Sequence, residues 1–172
     1  MKNKLTLTFY SFLLSLCVSL FITIEGNAQE NGIYEINNNA TLLKDTAKKT
    51  KVNDRENFYD LAFKIHPTSY ANDKIIKKNN NNKSSKLTFN DSKSLGLLNQ
   101  NNTDFNHIEL VTIKLNSIQE LNKKVDLTNA NSFSNLKYVY IVCSFQCTES
   151  QIKEFIRSNS NIRIFYKIEI PS

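Results

Sequence analysis

Between residues 86 and 172 the chain switches repeatedly between two apolar rhythms. Residues 86–89 predict a short strand, and 90–100 a helix with Leu95 and Leu98 turned inward. Residues 108–115 are rich in branched side chains and predict a second strand. Ser117-Ile-Gln-Glu120 then has the form of a capping box, with Ile118, Leu121 and Val125 on one side of the helix it would open. Residues 137–143 predict a third strand. Thr148-Glu-Ser-Gln151 is a second capping box, leading into Ile152, Phe155 and Ile156 at helical spacing. Residues 162–170 close the series as a strand before Pro171. Strands alternating with helices imply an α/β fold with a small, mainly parallel sheet.

The alternation within each strand assigns its two faces. Val111, Ile113 and Leu115 alternate with Leu110, Thr112 and Lys114, and Val139 and Ile141 with Tyr138 and Tyr140. Ile162, Ile164, Ile168 and Ile170 alternate with Arg163, Phe165, Lys167 and Glu169. Strands covered on both sides read as continuous apolar runs, so this pattern predicts helices on one face only. The other face would present Thr112, Lys114, Tyr138, Tyr140, Arg163, Phe165 and Lys167, aromatic rings with basic neighbours on a rigid support. Such a face suits a protein, peptide or glycan partner, or a second core if the amino-terminal hairpin folds over it.

Expected strand starts at 86, 108, 137 and 162 are 22, 29 and 25 residues apart. Leu110-x-x-Ile113-x-Leu115 and Leu136-x-x-Val139-x-Ile141 resemble the strand core of leucine-rich repeats, with Ile118 and Ser144 where that family places asparagine. The resemblance spans these two short stretches and implies a short one-sided layer, leucine-rich-repeat-like or βαβαβ.

Upstream the pattern is weaker. Phe58, Leu61, Ala62 and Ile65 fit one face of a helix, while Tyr59, Leu61, Phe63 and Ile65 fit an alternating strand. A strand is preferred, because His66-Pro67 stops it and Asn72-Asp73 reads as the turn of a β-hairpin reaching Ile75 and Ile76. Residues 77–86 (KKNNNNKSSK) read as a polar low-complexity loop, and 29–57 as a flexible lead. The single α/β domain is thus expected at 58–172. The chain opens with two lysines, then an uncharged apolar run to Ile24, then Gly26 and Ala28; this is the form of a signal peptide over 1–28, cut before Gln29. The expected destination is secreted or periplasmic, at the cell envelope, with no membrane span left after cleavage.

Charge is uneven. Residues 44–86 hold eleven Lys/Arg against five Asp/Glu, whereas 87–172 are nearly balanced at nine against eight. The basic segment raises a polyanion or cell-surface reading, and the export signal argues against nucleic acid. Only three glycines occur, Gly26, Gly32 and Gly96, so no phosphate-binding loop, dinucleotide fingerprint or nucleophile elbow is present. His66 and His107 form no metal or catalytic pattern, and neither a cofactor nor a metal site is expected. Cys143 and Cys147 stand four residues apart across a strand end and a helix start. In an oxidising compartment they are expected to pair as a structural disulfide, with a redox pair as the alternative; a C-x3-C spacing departs from the C-x-x-C of thioredoxin-like chemistry. The leading expectation is a non-enzymatic binding or structural domain.

Overall fold

The computed structural model describes residues 33–36, 49–78, 83–100, 102–129 and 131–171. The expected signal peptide, most of the flexible lead and the centre of the 77–86 loop lie outside these residues. The described residues contain no helix long and apolar enough to cross a membrane.

The strands are β1 (Ile33–Glu35), β2 (Thr68–Asn72), β3 (Ile75–Lys78), β4 (Lys86–Phe89), β5 (Leu110–Leu115), β6 (Val125–Asp126), β7 (Tyr138–Cys143), β8 (Ile156–Arg157) and β9 (Arg163–Ile168). The α-helices are α1 (Lys49–Phe63) and α2 (Glu149–Phe155), with short 3-10 segments at Ser92–Asn99, Thr103–His107 and Ile118–Asn122. Seven strands form a mostly parallel mixed sheet in the order β1-β9-β7-β5-β4-β2-β3, and β6 pairs with β8 in a small second sheet. Only the β2/β3 pairing is antiparallel in the large sheet.

Four consecutive strands of that sheet, β4, β5, β7 and β9, lie side by side in chain order. Each connection returns across the same face and delivers apolar side chains to one core. Leu95, Leu98, Phe105, Leu121, Val125, Phe133, Ile152 and Phe155 pack there against Leu87, Phe89, Val111, Ile113, Val139, Ile141 and Ile164. The alternation of 111/113, 139/141 and 162/164/168 therefore marks this face as expected. Two of the expected helices are 3-10 segments. Asp91 caps the first by accepting from the Ser94 N–H, but Ser117 makes no side-chain cap, and the Glu120 carboxylate accepts from the Asn116 N–H instead. The second capping box is complete: Thr148 and Gln151 satisfy each other's backbone N–H at the start of α2.

Three expectations are overturned upstream and on the far face. Residues 58–63 are the end of α1, a helix and not a strand. Phe58, Leu61 and Ala62 fall on one helical face and dock together, whereas the alternation at 59, 61 and 63 has no strand partner to serve it. The expected lead contains order of its own, because β1 adds to the sheet beside β9 and α1 begins at Lys49. Helices consequently cover both faces. Tyr138 and Tyr140 read as an outward, half-polar set, yet β7 is buried at five of its six positions. The hairpin forms from 68–72 and 75–78, not from the expected strand at 58–65, and its two-residue turn is Asp73-Lys74, one residue beyond the expected Asn72-Asp73.

Candidate binding face

One cross-strand row organises the second face of the sheet. In register, Tyr34, Phe165, Tyr140, Thr112, Thr88, Tyr70 and Lys77 stand opposite one another across all seven strands. Because residues in register share a face, the row forms one continuous strip. Its first half is aromatic and its second is hydroxyl, phenol and ammonium.

The aromatic half is a second core. The Phe58 ring of α1 stacks on Phe165 at 3.8 Å between centroids and meets Tyr138 and Tyr140 edge-on at 5.7 Å each. Exposure is 1% at Tyr138, 5% at Tyr140 and 4% at Phe165, which excludes these rings as an open surface. A buried phenol needs a partner for its hydroxyl. Tyr138 donates to the carbonyl and carboxylate of Asp54, and Arg163 pairs with the same carboxylate, Nε to Oδ2 at 2.6 Å. Burial first, then the Asp54 hydrogen bond, pushes the Tyr138 hydroxyl far above its ordinary pKa; burial does the same at Tyr140. Arg163, Tyr138, Tyr140 and Phe165 thus hold α1. They are not free to hold a partner. The covering element is this helix, not the hairpin, which lies at the opposite edge of the sheet.

The other half of the row continues beyond α1. Thr112 is half-buried and Lys114 exposed, so two of the expected residues remain on the open side. Lys167 is half-buried beside Glu169, with which it pairs. Tyr70 is 44% exposed and Ile75 60% exposed on the neighbouring strand of the hairpin, with Lys77 directly opposite Tyr70. Phe63, exposed at the end of α1, touches Tyr140, the in-register neighbour of Thr112. Tyr70, Ile75 and Lys77 were missed because the sequence points to a turn there without showing which strand neighbours the hairpin.

Cys143 and Cys147 come together on the first face. Both are buried free thiols in this structure, and they share a hydrogen bond instead of a covalent bond. Burial pushes both thiols up, furthest at Cys143; at Cys147 the hydrogen bond from its neighbour opposes part of the rise. A nucleophilic thiol needs the opposite shift. Nearby, the Tyr166 hydroxyl donates to Glu35 at 3.1 Å, tying β1 to β9, and burial with that bond raises it to about 12. His66 lies beside Asp60, 2.7 Å from its carboxylate. No group of His, Cys, Asp and Glu among the described residues could hold a metal ion.

No protein-family model, curated protein or solved structure matches the chain. The functional reading therefore rests on the geometry of these faces.

Proposed function

We propose that this chain is an exported, non-enzymatic binding module whose ligand, a protein segment, peptide or glycan, sits on the open half of the second sheet face. The row itself carries this reading: it runs from a helix-covered aromatic half through half-buried Thr112 and buried Thr88 to an exposed Tyr70–Lys77 end, with Lys114 exposed on the same face. A rigid sheet with a phenol, an isoleucine and two lysines offers an apolar contact, hydroxyl hydrogen bonds and charge within a few residues. The α1 helix supports the same reading, since it shows what the covered half of this face accepts: an aromatic anchor flanked by a carboxylate.

In strand order the fold keeps the stacking of a leucine-rich-repeat-like layer, with α1 covering part of its second face. Strands β4, β5, β7 and β9 stack in chain order, starting 24, 28 and 25 residues apart, close to that repeat's spacing. Cys143 and Cys147 are the structural staple of this layer, joining the end of β7 to the approach of α2 once the protein reaches an oxidising compartment. Their burial and raised thiol pKa values speak against the redox alternative.

The test is capture from a native envelope fraction with wild type and with the Tyr70→Ser/Lys114→Gln double variant. Wild type is expected to retain a specific partner. The variant should fold unchanged and lose that partner; capture unaffected by the double change would refute the open face as the site.

A further inference from the structure

We infer that the opposite side of the molecule carries a separate anion site, a lysine-walled depression suited to a phosphate group. The depression has a volume of about 400 Å³ and opens between the hairpin tip, the Ser92–Asn99 segment and the residues leading into β6. Lys74, Lys93, Lys123 and Lys124 line it, and no Asp or Glu does. Leu95, Leu98 and Val125 supply apolar lining, and Ser92 and Asn99 polar groups. Four like charges around one concavity repel each other, and a multiply charged anion relieves that repulsion while its oxygens accept from the ammonium groups.

The carboxylates nearest in sequence each hold other donors: Asp73 accepts from the Asn72 side-chain amide at 2.9 Å, and Asp126 from the Thr128 N–H and hydroxyl. Glu120 accepts from the Ser92 hydroxyl at 2.8 Å and from the Asn116 N–H at 2.6 Å. Asp91 is taken up by the Asp73 and Ser94 N–H groups and the Ser94 hydroxyl. Glu154 is 3.9 Å from Lys124, a pair exposed on both sides and correspondingly weak. Among the described residues, Lys74 and Lys93 form no ion pair. Lys123 donates to the Ser92 hydroxyl at 2.9 Å, which holds it at the wall.

The placement of Lys74 is built rather than accidental. Asp73 and Lys74 have φ of 50° and 64°, the left-handed region that side chains other than glycine rarely occupy. The strain is held by the Asp73 N–H donating to Asp91 and the Lys74 N–H donating to Ser94, each within 2.9 Å. A glycine would make this turn with less strain, but it would remove one of the four ammonium groups. Three of the lysines belong to the nearly balanced half of the sequence, so this site is distinct from the basic segment as such, and it is independent of the sheet-face reading.

Gly96 provides a clean test. It faces the depression, has no positive φ, and a Cβ added there meets nothing within 4 Å. Gly96→Glu would bring a carboxylate to the lysines without disturbing the core. The measurement is calorimetric titration of the purified chain with inorganic pyrophosphate at low salt, alongside co-sedimentation with phosphatidylcholine vesicles containing phosphatidic acid. Expected are saturable pyrophosphate binding, a loss of about tenfold or more in Gly96→Glu and in Lys93→Gln/Lys124→Gln, and no change in Lys114→Gln on the other face. Vesicle binding that is also lost in Gly96→Glu would identify a lipid phosphate as a source, whereas pyrophosphate binding alone would favour a soluble one. No saturable binding of either probe, or equal loss in Lys114→Gln, would overturn the site. If Gly96→Glu does not fold, the lysine pair decides alone.

Discussion

Phe58 is the residue on which the second layer turns. It is fully buried, stacks on Phe165 and touches both β7 tyrosines, and among the described side chains of α1 none touches as many rings of the sheet. Phe58→Ala should lower unfolding stability by about 3 to 5 kcal/mol, the range for truncating a buried aromatic; a loss under about 1 kcal/mol in urea titration would place α1 off the sheet. Asp91 makes a second, pH-dependent prediction. Burial raises its pKa, but donors from Asp73, Ser94 and Lys93 outweigh burial and hold it below the ordinary value. Its contribution is therefore complete above the unfolded pKa of about 4 and lost as pH falls through the lower folded value. Asp91→Ala should cost about 1 kcal/mol at pH 7, and Asp91→Asn should flatten the acid limb of the stability profile. An unchanged acid limb in Asp91→Asn would mean that the carboxylate is not held in its ionised form.

At the scale of elements, the sequence was readable wherever a strand had parallel neighbours close in the chain. The β4, β5, β7 and β9 positions follow from branched residues and turn spacing, and α2 from the complete Thr148/Gln151 capping box. Helix α1 was not readable in the same way. Its apolar positions fit two periods equally, and what selects the helix is docking onto Phe165, Tyr138 and Tyr140, more than seventy residues downstream. Ser117 illustrates the converse, a capping pattern whose serine makes no cap. The Cys143–Cys147 prediction also belongs here, because it joins β7 to the approach of α2. Protein recovered from an oxidising compartment should be two hydrogens lighter than reduced protein. Replacing both cysteines by serine should cost about 2 kcal/mol or less, given the small loop closed. Full alkylation without reductant would rule out the staple.

For the whole molecule, the sheet separates two kinds of surface that the sequence could only present together. Alternation correctly grouped Thr112, Lys114, Tyr138, Tyr140, Arg163, Phe165 and Lys167 on one face, but it carried no information on which part of that face a distant helix would cover. The lysine depression was invisible for a related reason, since Lys74, Lys93 and Lys123 meet only after the hairpin tip is bound to Asp91 and Ser94. The division of the face is the central claim, and hydroxyl-radical footprinting read by mass spectrometry measures it residue by residue on the native chain. Tyr70 should be modified at a rate approaching that of an exposed tyrosine, while Tyr138, Tyr140 and Phe165 stay protected until the protein unfolds. Rapid modification of Tyr138 and Tyr140 in the folded protein, at rates matching Tyr70, would contradict the account.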